Sequence, residues 1–496
     1  MNKAKTVGEL IASGYKSRGI KEELRDNLIA KLKSRSPFFD EIQGYDDTVI
    51  PQLQTAILSG HNIIFLGLRG QAKTRMARLL TNLLDEHIPI ISGSELNDDP
   101  LNPLSHAAKQ ILLEKGNECP IEWVARSERY TEKLATPDVS VSDLIGDIDP
   151  IKAAALKLSY ADERIVHYGL IPRSNRGIFV INELPDLQPR IQVSLFNMLQ
   201  EGDIQIRGFK IRLPLDIQFV FTANPEDYTN RGSIITPLKD RIGSQILTHY
   251  PANVETALSI TAQESKIPVA QIKSIVVPDI LKRLIEQIAF EARKSEFIDQ
   301  KSGVSARLTI SALQQLYSAA ERRMILNNEK NTVARISDLY SISSAINGKV
   351  ELVYEGELEG IHAVAYALIG KAIRAEFLNY FPNPELVKKS KKENPYAPII
   401  AWFAEGNNVD FVFDEKTQDY EQSLATIKHL FKGLKNEQPA LFSNSHALFT
   451  EFVLHGLAEF SQIGKRALDR NISFQDMVSD IFNMRNNRDE EELDEF

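Results

Sequence analysis

An α/β domain on a mainly parallel sheet, followed by helical regions, is the architecture this sequence predicts. Three observations carry that expectation. Short apolar runs at residues 62–66, 88–91, 177–181 and 217–222 alternate with helical segments. A glycine-bearing loop directly follows the first run. After Pro251 the apolar spacing turns helical and stays so. A chain of 496 residues holds two to four domains at roughly 100–200 residues each. With 43% hydrophobic and 25% charged residues, wholesale disorder is excluded. The 58 basic and 67 acidic side chains give a net charge of −9, which disfavours a general nucleic-acid binder. A single cysteine, Cys119, excludes an internal disulfide and a cysteine metal cage. No run approaches the ~18 apolar residues of a bilayer span. The N-terminal stretch mixes both charge signs and has no apolar signal core, so a cytoplasmic location is expected.

Taken in order, residues 1–37 read as a helical N-terminal arm. Leu10, Ile11 and Tyr15, then Leu24, Leu28, Ile29 and Leu32, fall at helical spacing, and Pro37 stops the run. Residues 38–250 are the α/β domain. Residues 251–355 read as an α-helical lid, with helices near 280–294, 305–325 and 336–346. A further helical region is expected over 356–485, opening with a helix at 360–382. Its Pro-bearing segment 382–398 contains Lys388, Lys389, Lys391 and Lys392 and reads as a solvated tether. Residues 486–496 form an acidic tail expected to fray.

The most informative segment is 61–80. An apolar strand ends at Gly67, and Leu68, Arg69, Gly70, Gln71, Ala72, Lys73 and Thr74 lead into a helix. This is the logic of a P-loop. Glycines let backbone N–H groups turn inward, and the helix N-terminus adds positive field. Lys73 brings charge to the β- and γ-phosphates, and the Thr74 hydroxyl reaches Mg²⁺. ATP and Mg²⁺ are therefore the expected ligands, with Gly67, Gly70, Gln71, Ala72, Lys73 and Thr74 as the cradle. Ala72 stands where a glycine is usual, and is tolerated there if its φ is negative.

About a hundred residues on, the apolar run 177–181 ends in Asn182 and Glu183. In P-loop hydrolases the first polar residue of such a strand supports the Mg²⁺ shell and the next orients the attacking water. Glu183 fits the second role. Asn182 falls where an Asp is expected, and without charge it should weaken Mg²⁺ binding. Two readings stay open: an active ATPase, or a slow nucleotide-gated scaffold. On the first, Asn182→Asp should restore or raise turnover.

With both motifs in place, the chain resembles the AAA+ ATPases, and within them the magnesium chelatase ATPase subunit and the MoxR proteins. Asn175, Arg176 and Gly177 before the second motif are similar to the chelatase pattern, and the Ala-Lys-Thr loop ending to MoxR. The resemblance covers roughly residues 38–350 and implies further roles. Asn224 would be the sensor 1 residue facing the γ-phosphate. Arg241 would be an arginine finger acting in trans, and Arg307 the sensor 2 arginine acting in cis. Gly44 and Tyr45 would line the adenine pocket. Segments 146–169 and 203–213 resemble the hairpin insertions of the clade. A finger in trans implies a ring, by resemblance of six subunits. The clade also implies a partner with a von Willebrand factor A domain, for remodelling or metal insertion. No segment here is read as the metal-coordinating Asp-x-Ser-x-Ser of that domain, so the partner would be a separate polypeptide. A sigma-factor activator is disfavoured, because the Gly-Ala-Phe-Thr-Gly-Ala loop is absent and no helix-turn-helix is evident.

Overall fold

The computed structural model describes residues 3–157, 163–205, 212–224, 233–389, 394–467 and 471–477. The chain divides into two units, Met1–Tyr250 and Pro251–Phe496. The acidic tail, the tip of the 203–213 hairpin, Pro225 and Glu226 after the sensor, and Lys391 and Lys392 of the basic run lie outside the described residues.

The first unit is built on five parallel strands: β1 (Ile63–Leu66), β2 (Tyr130–Leu134), β3 (Gly177–Asn182), β4 (Ile217–Ala223) and β5 (Ser244–Leu247). Their spatial order is β5-β1-β4-β3-β2. The three central strands are buried along their whole length, as expected for a sheet covered on both faces. Side chains alternate between those faces. Ile64, Leu66, Phe179, Ile181, Phe219 and Phe221 pack in a core with Ile171, Ile191, Leu195 and Leu238. Ile63, Phe65, Ile178, Val180 and Val220 pack in the opposite core with Leu24, Leu28, Leu53 and Met76.

Those last four residues identify the covering helices. The arm consists of α1 (Val7–Ala12) and α2 (Ile20–Ser34); α3 (Val49–Leu58) and α4 (Lys73–Leu79) come next along the chain. α2 ends at Arg35, whose φ of 52° closes the helix in the left-handed region just before Pro37. Leu24 and Leu28 of the arm therefore belong to the core of the α/β unit, and no break separates residues 1–37 from the rest of that unit. One expected strand lies outside the main sheet. His87–Ile91 pairs antiparallel with Ile121–Ala125 in a separate two-stranded ribbon. Pro89 at its centre lacks the N–H that an interior strand would need.

The second unit contains the long helices α6 (Asp279–Ala292), α7 (Arg307–Leu326), α8 (Ile361–Tyr380) and α9 (His446–Glu459); α5 (Thr236–Arg241) belongs to the first unit. One apolar core runs from Ile275 to Phe474. The expected boundary at 355/356 is thus no break in packing: lid and C-terminal region share that core. The unit is mostly helical, as expected, but residues 399–485 also include β6 (Val409–Val412), β7 (Gly464–Ala467) and β8 (Asn471–Gln475), an antiparallel sheet ordered β6-β8-β7. Phe411, Ile472 and Phe474 alternate inward there, a period of two that a search for helical spacing passes over.

Candidate nucleotide site

Register brings the predicted residues together at the carboxyl end of the sheet. Leu66 pairs with Ala223, and Leu134 with Asn182. The loop after β1, the last residue of β3 and the residue after β4 therefore share one edge.

Gly67 has no room for a side chain: a Cβ there would lie 2.0 Å from Thr248 Oγ1 and 2.2 Å from Gln71 Oε1. Those two atoms are joined, with Thr248 Oγ1 donating to Gln71 Oε1 at 2.7 Å. Gly70 has φ 77°, open to glycine. Ala72 has φ 57°, which overturns the expectation of a negative angle. An alanine in the left-handed region carries a penalty of roughly 1–2 kcal/mol, borne here by the loop. Tyr45 is buried and braces the loop from behind. Its hydroxyl shares its one proton between Gln71 O at 3.0 Å and His249 O at 2.8 Å, and burial pushes its pKa up to about 12. Gly44 beside it has φ 79°.

Lys73 is buried, and its ammonium donates to Gly67 O, to Leu68 O at 2.9 Å and to Asn224 Oδ1 at 2.6 Å. The amide of Asn224 in turn donates to Glu183 Oε2 at 3.1 Å. Asn224 thus links the loop lysine to the expected catalytic carboxylate. Glu183 has φ 55°, an unusual conformation for a side chain of its size. It is held there by Glu183 N donating to Thr222 Oγ1 at 3.2 Å. Thr74 Oγ1 donates to Asn182 Oδ1 at 3.3 Å, and Thr222 Oγ1 donates to the same oxygen at 3.0 Å.

One participant escaped the sequence reading. Glu132 on β2 accepts from Asn182 Nδ2 at 2.6 Å. It also accepts from Tyr130 OH at 3.0 Å and from Arg78 Nε at 2.8 Å. Burial alone would raise the Glu132 pKa, but the hydrogen bonds from Arg78, Tyr130 and Asn182 and the Arg78 charge outweigh it and leave the carboxyl below its ordinary range. The signal was available in residues 130–134, where Tyr and Thr favour a strand; the charges within it hid the strand from a search for apolar runs. Thr74, Asn182 and Glu183 present oxygen atoms, the donor type that suits Mg²⁺ with its retained waters.

Arg241 and Arg307 lie on other elements of the chain. Arg241 ends α5, its Nε donating to Gln200 Oε1 at 3.0 Å and its guanidinium lying 4.7 Å from the Phe196 ring centroid. Arg307 is the exposed first residue of α7 in the second unit. The Asp-x-Ser-x-Ser spelling does occur, contrary to the sequence reading, at Asp138, Ser140 and Ser142. Its Ser140 caps a helix, and its Ser142 Oγ donates to Asp147 Oδ2 at 3.0 Å. Ser140 Oγ accepts from Asp143 N at 3.1 Å, and the Asp143 carboxylate accepts from Ser140 N at 2.9 Å. The clade-marking Asn175 and Arg176 lie at the amino end of β3. Asn175 donates to Leu96 O at 2.9 Å, and Arg176 to Pro89 O at 2.8 Å. Arg176 thereby ties the ribbon to the sheet at the end opposite the nucleotide residues.

The chain is similar to known proteins over part of its length. The profile of the sigma-54 interaction domain matches residues 156–243. The magnesium-chelatase 38 kDa subunit of Cereibacter sphaeroides is 28% identical over 233 residues, 46% of this chain and 63% of that protein. That of Rhodobacter capsulatus is 27% identical, over 46% of this chain and 61% of its own length. The chain thus spans less than two thirds of these relatives. Among solved structures, the complex of magnesium chelatase subunits BchI and BchD matches with 20% identity and a TM-score of 0.35, covering 65% of this chain and 98% of that one. The RuvB Holliday junction branch migration motor of Thermotoga maritima matches with 13% identity and a TM-score of 0.33, covering 66% and 74%. Among the described residues, no helix is long and apolar enough to cross a membrane.

Proposed function

We propose that the first unit is an AAA+ P-loop module resembling the magnesium chelatase clade, and that it binds ATP with Mg²⁺ at the carboxyl end of its sheet and hydrolyses it. The observation that carries this reading is the linked set Lys73–Asn224–Glu183, with Thr74 and Asn182 alongside. Lys73 already sits among three oxygen acceptors, so phosphate oxygens would replace carbonyls at an ammonium built to receive them. Glu183 is the acceptor for the proton of the attacking water, and Asn224 orients it. Thr74 and Asn182 are placed to hold Mg²⁺, whose charge would offset that of the phosphates. Arg241 would serve a neighbouring subunit, which requires a head-to-tail ring, and Arg307 would report the γ-phosphate to the second unit. The solved BchI–BchD complex pairs two chelatase subunits; a partner bearing a von Willebrand factor A domain, remodelled or loaded with metal, is the matching proposal here.

A second reading, the slow scaffold, is favoured by Asn182 alone. Steady-state phosphate release separates the two. The motor predicts turnover that falls about 10²–10⁴-fold in Glu183→Gln and about 10³-fold in Arg241→Ala, with ATP still bound by both. No turnover by the parent protein at assembling concentrations supports the scaffold. Equal loss of ATP affinity in both variants would contradict the roles given to Glu183 and Arg241.

A further inference from the structure

Asn182 looks like a degraded acid in the sequence, yet its surroundings are ordered around an amide. Its oxygen faces two hydroxyl donors, Thr74 Oγ1 at 3.3 Å and Thr222 Oγ1 at 3.0 Å. Its nitrogen faces a carboxylate, Glu132 Oε1, at 2.6 Å. An asparagine amide has no intrinsic preference between its two orientations; neighbours set it. Here a flip would bring the amide oxygen against the carboxylate and the amide nitrogen toward Thr74. Glu132 cannot donate when ionised, so it permits one orientation only.

Glu132 is itself immobilised. Arg78 grips it with Nε at 2.8 Å and a second nitrogen at 3.2 Å, and Tyr130 OH donates at 3.0 Å. Glu132 is one-fifth exposed and Arg78 about two-thirds exposed, so the ion pair contributes little to stability. What the contact does fix is the direction of the Asn182 oxygen.

We infer that Glu132 on β2 is a positioning residue for the Mg²⁺ site: its carboxylate locks the Asn182 amide with the oxygen toward Thr74, where a metal-bound water can donate to it. The inference rests on the nucleotide reading above and deepens it. The usual aspartate needs no such lock, because both its oxygens accept. A carboxylate on the neighbouring strand is what an asparagine at this position requires. One consequence reverses the expectation drawn from sequence alone. Asn182→Asp would set two carboxylates at the 2.6 Å contact now made by donor and acceptor, so the substitution alone should harm the site. Exchanging both residues, Asn182→Asp with Glu132→Gln, restores a donor–acceptor pair.

The test is binding of fluorescent ADP to the full chain across a Mg²⁺ titration, with affinity in EDTA as the reference. The parent should bind ADP more tightly with Mg²⁺. Glu132→Ala should need about 10–100-fold more Mg²⁺ while keeping its affinity in EDTA. Glu132→Gln, whose amide can donate as well as accept and so does not fix the Asn182 orientation, should recover only part of the loss. Asn182→Asp should be worse than the parent, and the exchanged pair should match or exceed it. Should Glu132→Ala fail to fold, the single Asn182→Asp and the exchanged pair decide alone. A Mg²⁺ requirement within twofold of the parent in Glu132→Ala would overturn the inference, and so would Asn182→Asp performing as well as the exchanged pair. A parent that binds no ADP under any condition would overturn the nucleotide reading itself.

Discussion

The two ends of the parallel sheet carry polar groups of similar burial and opposite character. At the amino end, Arg129 and Glu23 form a buried bidentate pair at 2.8 and 2.6 Å. Asp216 accepts from Ile20 N at 2.7 Å, and Asn175 accepts from Asp216 N at 2.9 Å. These bonds fasten the arm, the ribbon and the strands together, many through backbone groups that no ligand can displace. At the carboxyl end, the contacts of Lys73, Asn224, Glu183, Thr74 and Asn182 run mainly from side chain to side chain. Such contacts can be exchanged for phosphate, metal and water. Burial of polar groups alone therefore does not mark a site. What marks it is polar groups satisfied by partners that can move, on loops beyond the strand ends.

The sharpest way to break the comparison is to cut one contact at each end. Arg129→Ala leaves the buried Glu23 charge without its cation, with only the Asp85 N–H still donating to it, and should cost about 3–5 kcal/mol in chemical denaturation, with any residual folded protein still binding nucleotide. Lys73→Ala should do the reverse. ATP affinity should fall on the order of 100-fold or more, the equivalent of about 3 kcal/mol, while the unfolding midpoint moves little. A Lys73→Ala protein that unfolds as readily as Arg129→Ala would erase the distinction.

Glu286 on α6 supplies a control outside both ends. It is buried, one carboxyl oxygen has no partner, and burial raises its pKa to about 7 against weaker help from Thr261, Arg293 and Thr309. A carboxyl raised in the folded state stabilises fully below its unfolded value near 4.5. That contribution is lost as pH climbs through about 7. Stability of the second unit should therefore drop on the order of 2 kcal/mol between pH 5 and 8, and Glu286→Gln should flatten the profile. The smallest effect concerns the loop itself. Ala72→Gly relieves a φ of 57° and should gain about 1 kcal/mol in stability, less the extra freedom a glycine brings to the unfolded chain.

How far the sequence could be read depends on where each strand lies. β1, β3 and β4 are central and covered on both faces, so each is a continuous apolar run in the sequence. β2 and β5 are the edges. Their partly exposed residues, such as Glu132 and Gln245, interrupt the apolar pattern. With β2 unseen, the partner of Asn182 was unseen too, and Asn182 read as a loss. The helices of the second unit were legible from their spacing, but its small sheet was not: four- and five-residue strands among helices leave little periodicity to find. The sign of φ at Ala72 was open to no sequence argument, since alanine gives no mark of the strain it bears. The residues contributed by strand ends and the loop, Lys73, Thr74, Asn182, Glu183 and Asn224, do come together, because parallel strands in register deliver their carboxyl ends to one edge.

The central claim is that this edge holds a magnesium-bound triphosphate, and calorimetric titration of a non-hydrolysable ATP analogue addresses it most directly. The account predicts saturable one-to-one binding by the parent in the presence of Mg²⁺, weakened when Mg²⁺ is removed and absent in a folded Lys73→Ala protein. Undiminished binding by Lys73→Ala, or no binding by the parent, would contradict it.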